Sequence, residues 1–355
     1  MNIKSTAPVR IDLAGGTVDI WPLYLMIPSS VTTNVGIDLF AVTDLEEKKD
    51  GQGKVTLRST DQKSELVLKW SEVETRDTIP QLILHQLLLQ YFIGLKKKRG
   101  TWDEKSSLTI STQATSPAGA GLGGSSALCV SIIAALSAWL EGKDDIKLDG
   151  EKFISVAKDV ESRVIKSPAG LQDYYGAVYG GLQSIQWGVS EHSRADLGQN
   201  KLKDLESRMI LFYSGLSRNS GINNWQVFKD FFDHKPEIKV LLNQITQATQ
   251  ALNKALDKND WKSAVKAIAQ EWDARRELAP GISTPEMNEA FNKAHAIYPN
   301  LAYKVCGAGG GGCFFIILDE PNESIKNKII SEISNSQIRH LPFHAVPHGV
   351  KVTKN

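Results

Sequence analysis

The chain is short of several things, and each shortage removes a class of reading. Its 355 residues include three cysteines, Cys129, Cys306 and Cys313. An odd number, widely spread and without a CxxC pair, builds neither a disulfide framework nor a zinc site, so a reducing cytoplasmic setting is expected. Neither sign of charge is in excess: 41 Lys and Arg face 40 Asp and Glu, a formal net charge of +1. Nucleic-acid binding ordinarily leaves a basic footprint, and none is written here. The longest mostly apolar run, Leu128 to Leu140, falls short of the roughly 20 residues that span a bilayer. The opening MNIKSTAPVRIDLAGG lacks the apolar centre of a signal peptide. Neither nucleic acid nor membrane is expected as a partner. Repeats and low-complexity tracts are missing too, which leaves a soluble globular protein, and the length suggests about two domains.

What is present begins with strands. VRIDLAGG and, after a Pro-containing loop, VTTNVGIDLFAVTDL are rich in β-branched and aromatic residues. KVTLRST and ELVLKW follow a turn near Gly51 to Gly53, and SLTISTQA reads as a further strand. Leu82 to Leu95 and Ser125 to Leu140 have the length and composition of helices, with Gly142 placed to stop the second. From Glu151 to Lys166, Phe153, Val156, Ala157, Val160 and Val164 fall on one helical face. The polar stretch Ser190 to Asn200 is the expected linker, dividing residues 1–190 from 191–355. The second part opens with the strand RMILFYSG, continues through helices from about Trp225 to Gln270, and returns to strands at KVCG and CFFIIL. His340, His344 and His348 recur every four residues, but Pro342 and Pro347 interrupt any helix there, so a terminal strand with incidental histidines is expected.

Two glycine clusters carry the chemistry. Ser116 to Ala127, SPAGAGLGGSSA, lies between a predicted strand and a predicted helix. Glycine lets successive backbone N–H groups wrap around phosphate oxygens, and the helix start adds about half a positive charge. Ser125 and Ser126 stand at that start, suited to capping the helix or to facing a phosphate or its Mg²⁺. Gly119, Gly121 and Gly124 also spell GxGxxG, with Asp144 further along, but no second parallel strand follows to carry that acid. A P-loop would need lysine where Ser125 stands. The second cluster, in KVCGAGGGGCFFIIL, places Gly307 and Gly309 to Gly312 between two strands, more glycine than a tight hairpin needs. That backbone must approach something closely.

Taken together, APVRIDLAGGTVD, SPAGAGLGGSSA and KVCGAGGGGCFFIIL resemble, in order, the three motifs of the GHMP kinases. Within that superfamily AGGTVD, GLQDYYGAVYGG, FYSGLSRNS and EWDARRELAPGIST are similar to segments of the D-glycero-D-manno-heptose 7-phosphate kinase group. Leu171, Thr17 and Val18 depart from that group's usual residues. The resemblance implies an α/β (α+β) fold, with a ribosomal-protein-S5-like first domain and a ferredoxin-like second domain. It also implies transfer of the γ-phosphoryl group of ATP, with Mg²⁺, to a sugar or sugar-phosphate hydroxyl, foremost the anomeric hydroxyl of a heptose 7-phosphate. Other acceptors open to it are mevalonate and a free sugar. From different classes, an NAD-dependent dehydrogenase and a non-catalytic sugar-binding relative stay in view, and a homodimer is allowed for.

By the same resemblance Pro117, Gly119, Gly121, Leu122, Gly123, Gly124, Ser125 and Ser126 hold the ATP phosphates, and Ser126 and Glu161 hold the metal. Asp173 is the catalytic aspartate that accepts or orients the proton of the attacking hydroxyl. Arg10 stands beside the reacting centre. Asp19, Gly16, Thr17, Gln172, Gly309 and Gly310 fall to the acceptor sugar, and Arg218 to a substrate phosphate. Arg275 and Arg276 are further guanidinium candidates, but neighbours on a helix point apart, so at most one is expected to reach the site.

Overall fold

The computed structural model describes residues 1–142, 149–216 and 221–354, of which 221–223 are described by backbone alone. The strands of its larger sheet are β1 (Asn2–Ala14), β2 (Val31–Lys48), β3 (Lys54–Ser59), β4 (Ser64–Lys69), β5 (Ser107–Ala114), β6 (Leu182–Gln186) and β7 (Ser193–Asp196). A second sheet is built from β8 (Met209–Tyr213), β9 (Leu301–Val305), β10 (Cys313–Leu318) and β11 (Arg339–His340), and β12 (Lys351–Lys354) returns to the first. The larger sheet runs β12-β1-β2-β5-β3-β4, with β6 and β7 continuing from β2, and β3 and β5 are its parallel pair. The smaller runs β11-β8-β10-β9, all antiparallel.

The helices are α1 (Leu23–Met26), α2 (Ile83–Lys98), α3 (Gly124–Glu141), α4 (Gly150–Ile165), α5 (Gln172–Tyr179), α6 (Gln199–Arg208), α7 (Gly221–Phe232), α8 (Pro236–Asp257), α9 (Trp261–Arg275), α10 (Pro285–Ile297) and α11 (Glu323–Ile333). α3 is as long and apolar as a short membrane span, yet 72% of it is buried inside the protein, where it packs on β1, β2, α2, α4 and α5. Its buried Ser131 is satisfied in place. Ser5 Oγ donates to the Ser131 carbonyl at 2.6 Å, and the Thr43 and Ser131 hydroxyls lie 2.7 Å apart. A second core gathers Val18 and Ile27 with side chains of α8 to α11 and of the smaller sheet. α9 touches both β1 and β9, so it joins the two layers beside what proves to be the site.

Three expectations are corrected here. The stretch Ser190 to Asn200 is no plain linker: Ser193 to Asp196 pair with β6, and α6 begins at Gln199. The larger sheet thus takes strands from beyond residue 190, β12 included. Hydrogen bonding along an edge needs no apolar alternation, which is why SRAD escaped notice. His340 alone of the three histidines lies in a strand, while His344 and His348 lie in the following loop. His344 Nδ1 is 2.9 Å from Glu206 Oε1, and that carboxylate raises its pKa.

Candidate active site

The loop between β5 and α3 is shaped by three glycines in the left-handed region, Gly119, Gly121 and Gly123, at φ of +68, +74 and +74°. Gly123 occupies the cap position of α3, and a methyl group on it would stand 3.2 Å from Asp173 Cγ. The serines therefore do not cap. They sit inside the first turn, because the helix starts at Gly124, and Ser126 turns away to donate to Glu161 Oε2 at 2.7 Å. The N–H groups of that first turn have no acceptor within the helix and face the cleft end of the loop.

The second cluster explains its own composition by what it touches. A Cβ on Gly307 would lie 2.9 Å from the Cα of Gly121, and one on Gly312 would lie 2.7 Å from the Ala120 carbonyl oxygen. The Cys313 N–H donates to that same oxygen at 2.7 Å. The close approach is thus backbone against backbone, one glycine loop on the other. Gly309 and Gly310 face Ile282, whose carbonyl accepts from Gly310 N–H at 2.6 Å, and it is Gly307 and Ala308 that line the cleft.

On β1, Arg10 is buried beneath this junction. Its Nε donates to Asp173 Oδ1 at 2.8 Å and its Nη1 to the Gly121 carbonyl at 2.8 Å. Burial works to discharge the guanidinium, but the Asp173 carboxylate, with Asp12 behind it, wins and raises its pKa. Asp173 stands at the second position of α5 with its side chain 24% exposed, the open member of a pair whose other member is 4% exposed. The segment QDYYG is the start of this helix.

Glu161 projects from α4 and is buried; Ser126 Oγ and Tyr174 OH donate to its Oε2 at 2.7 and 2.6 Å. Burial raises its pKa, opposed by the hydroxyls of Ser125, Tyr174 and Ser126. Asp19 is likewise buried, accepts from Gln172 N–H at 3.0 Å, and is pushed up to about 6 by burial, with the charges of Asp173 and Asp12 adding to it. Gly170 allows that contact: a Cβ there would lie 2.5 Å from Asp19 Oδ2.

These groups share one cleft of about 410 Å³. Arg10, Thr17, Asp19, Glu161, Gln172 and Asp173 line it together with the whole run from Ser116 to Ser126. Asp61, Gln62, Pro80, Gln81, Ile83 and Leu84 line it as well, none of which the sequence reading gave a site role. Gly16 does not line the cleft; it packs over Asp12 and Arg275, where a side chain would collide with both. Arg275 lines the cleft and Arg276 pairs outward with Asp273, so one of the two neighbours reaches it. Arg218 and Asp144 lie outside the described residues.

Sequence reasoning also missed a buried charged cluster behind the cleft. Lys304 Nζ lies 2.9 Å from Glu271 Oε1 and 3.1 Å from Asp12 Oδ1, and Arg275 stands 3.8 Å from each of the same two carboxylates. Two cations and two anions offset one another in a buried place. The signal was a charge inside an apolar strand, as in AYKV and RIDLA.

Comparison with known proteins agrees with this geometry. Residues 86–181 match the GHMP kinases N terminal domain and residues 252–335 the GHMP kinases C terminal domain, together a little over half of the chain. The chain is 25% identical, over 98% of both sequences, to D-glycero-alpha-D-manno-heptose 7-phosphate kinase of Campylobacter jejuni. To mevalonate kinase of Thermococcus onnurineus it is 25% identical over 65% of this chain and 68% of that one. A solved structure of a D-glycero-D-manno-heptose 1-phosphate kinase from Bacteroides thetaiotaomicron superposes with a TM-score of 0.74 at 22% identity, covering 99% of each chain. With a glycine loop closing a helix start over an arginine–aspartate pair, the chain belongs to the GHMP kinases and is a phosphotransferase.

Proposed function

We propose that the protein transfers the γ-phosphoryl group of ATP to a sugar-phosphate hydroxyl, and that the acceptor is the anomeric hydroxyl of D-glycero-D-manno-heptose 7-phosphate. The observation that carries the reading is the Arg10–Asp173 pair set directly under the glycine loop. Both Arg10 contacts to Asp173 go to Oδ1, which leaves Oδ2 to take the acceptor's proton. The acceptor oxygen then bonds to the γ-phosphorus as the bond to the β-phosphate oxygen breaks, and ADP leaves. Phosphoryl transfer asks mainly for positioning and neutralised charge. The loop N–H groups from Gly121 to Ser126 and the α3 start supply both on the donor side, the Ala120 N–H being held by the Pro117 carbonyl, and Arg10 supplies a fixed charge beside the reacting groups. Asp19 and Gln172, on the acceptor side, accept and donate hydrogen bonds to sugar hydroxyls.

The residues also fit a divalent cation. Glu161 is a buried carboxylate whose partners are hydroxyls, and a hard cation wants such oxygen donors. Among the described residues no group of three or more His, Cys, Asp or Glu converges to cage a metal, which suits Mg²⁺ held by one or two side chains and by substrate phosphates. When bound, Mg²⁺ neutralises charge on the phosphates; Glu161 and Ser126 would hold it. The buried free thiols of all three cysteines fit a cytoplasmic setting.

A screen for ADP release across sugars and sugar phosphates, with mevalonate and homoserine as controls, tests the acceptor. Turnover with mevalonate above that with any sugar would replace the heptose reading. Asp173→Asn is expected to lower turnover by about 10²- to 10⁴-fold while ATP still binds; full turnover would remove Asp173 from the mechanism.

A further inference from the structure

We propose that Arg275 is a positioning residue for the Arg10–Asp173 pair, acting on it through the two stacked glycine loops. The inference rests on the phosphotransfer reading for its kinetic part. Arg275 belongs to α9, across the cleft from Asp173 in α5, and its guanidinium is 4% exposed. A clamp between layers would aim its donors at the neighbouring carboxylates, yet Asp12 and Glu271 both stand at 3.8 Å. The short bond goes elsewhere: Nη2 donates to the Gly307 carbonyl at 2.7 Å. Gly307 lies directly on Gly121, with room for no side chain on either, since a Cβ on Gly121 would stand 2.6 Å from the Cys306 carbonyl oxygen. Gly121 in turn presents its carbonyl to Arg10 Nη1 at 2.8 Å, and Arg10 Nε holds Asp173. With no flexible side chain between the loops, a displacement of Gly307 is passed on to Gly121. A second route leads to the same place. Asp12 is two residues from Arg10 on the same strand face, roughly 7 Å along β1, and Arg275 and Lys304 share it.

Adjacency alone does not establish coupling; a double-mutant cycle does. Arg275→Met, Arg275→Lys, Asp173→Asn and the Met/Asn double variant are compared for kcat and for KM of ATP and acceptor. Arg275→Met is expected to lower kcat at least 10-fold with both KM values within about 3-fold. Arg275→Lys, which keeps one donor for Gly307, recovers most of the loss. In the Asp173→Asn background the Met substitution costs less than about 2-fold more, because the group it positions has gone. A raised acceptor KM at unchanged kcat would instead make Arg275 a direct contact of the acceptor, and equal losses in both backgrounds would make it merely structural; either result overturns the proposal. Amide hydrogen exchange supplies a readout without turnover: peptides covering 119–124 and 306–313 should exchange faster in Arg275→Met, or in Arg275→Lys to a smaller degree should the Met variant not fold. Unchanged exchange in both loops overturns the proposal as well. If the unsubstituted protein phosphorylates no acceptor, the proposed function falls while the exchange experiment still decides this one.

Discussion

The carboxylate of Asp19 couples stability to function in a way that can be measured. Burial, with the Asp173 and Asp12 charges behind it and opposed by the Gln172 N–H, moves its pKa from 3.8 to about 6. Each pH unit of such a difference corresponds to 1.36 kcal/mol, so the ionised form costs the fold about 3 kcal/mol. Because the folded value is the higher one, the folded state holds this proton more tightly. The stabilisation it brings is complete below about pH 4 and is lost as pH rises through 6. Asp19→Asn keeps the size and an oxygen to accept from Gln172, but removes the charge. The variant is expected to be more stable than the parent by about 3 kcal/mol at pH 7.5 and by about 1 kcal/mol at pH 4.5. At pH 7.5 this amounts to a rise of roughly 5 °C in the thermal midpoint for a chain of this size. Urea unfolding followed by tryptophan fluorescence at several pH values reads the gap directly. The same variant should lose acceptor affinity by about 10²-fold or more, because a group that accepts two hydrogen bonds has become one that accepts and donates. A stability gap that stays constant between pH 4.5 and 7.5, or a variant less stable than its parent at pH 7.5, would refute the reasoning.

Glu161→Gln retains an oxygen for Ser126 and Tyr174 but no charge; it should need at least about 10-fold more Mg²⁺ for half-maximal ADP release, with no loss of stability at pH 7.5, since burial raises the pKa of the native carboxylate. Gly121→Ala meets both a left-handed φ of +74° and a backbone contact at 2.6 Å, whereas Gly100→Ala meets φ of +65° with open space around it. Gly100→Ala should cost the strain alone, about 1–2 kcal/mol, and leave ATP affinity intact; Gly121→Ala should cost more and raise KM for ATP, both read by thermal unfolding and kinetics. Cys129, Cys306 and Cys313 are all buried, and burial raises each thiol pKa, that of Cys306 to about 12. A thiol reagent should label none of them in the native protein and all three in denaturant.

What could be read from the chain was local. SLTISTQA is β5 to the residue, and the stop at Gly142 holds with φ of +64° in the cap position. Each glycine cluster announced a backbone under constraint, and the order of three motifs pointed to a phosphotransferase. What escaped was non-local. Nothing near Gly307 says that its neighbour is Gly121, 186 positions earlier. Tyr174 was given no role, and its hydroxyl matters because α5 and α4 set it on Glu161. The serines show the limit of a motif: Gly123 in the left-handed region takes the cap position of α3 with no side-chain cap bond, and spacing does not distinguish a capping serine from one inside the first turn. Asp12 and Lys304 could have been flagged from the start, since a lone charge in an apolar strand must find a partner in the core.

The pairing of β12 with β1, in which Ile3 lies opposite Lys354, bears on how the molecule is made. β1 carries Arg10, the charge around which the cleft is arranged, and beside residues 3–6 the outer flank of this strand is covered by residues 351–354. An open strand edge invites pairing with the wrong chain. The short polar KVTK segment therefore seals that edge, and a chain without it would offer residues 3–6 to a foreign strand.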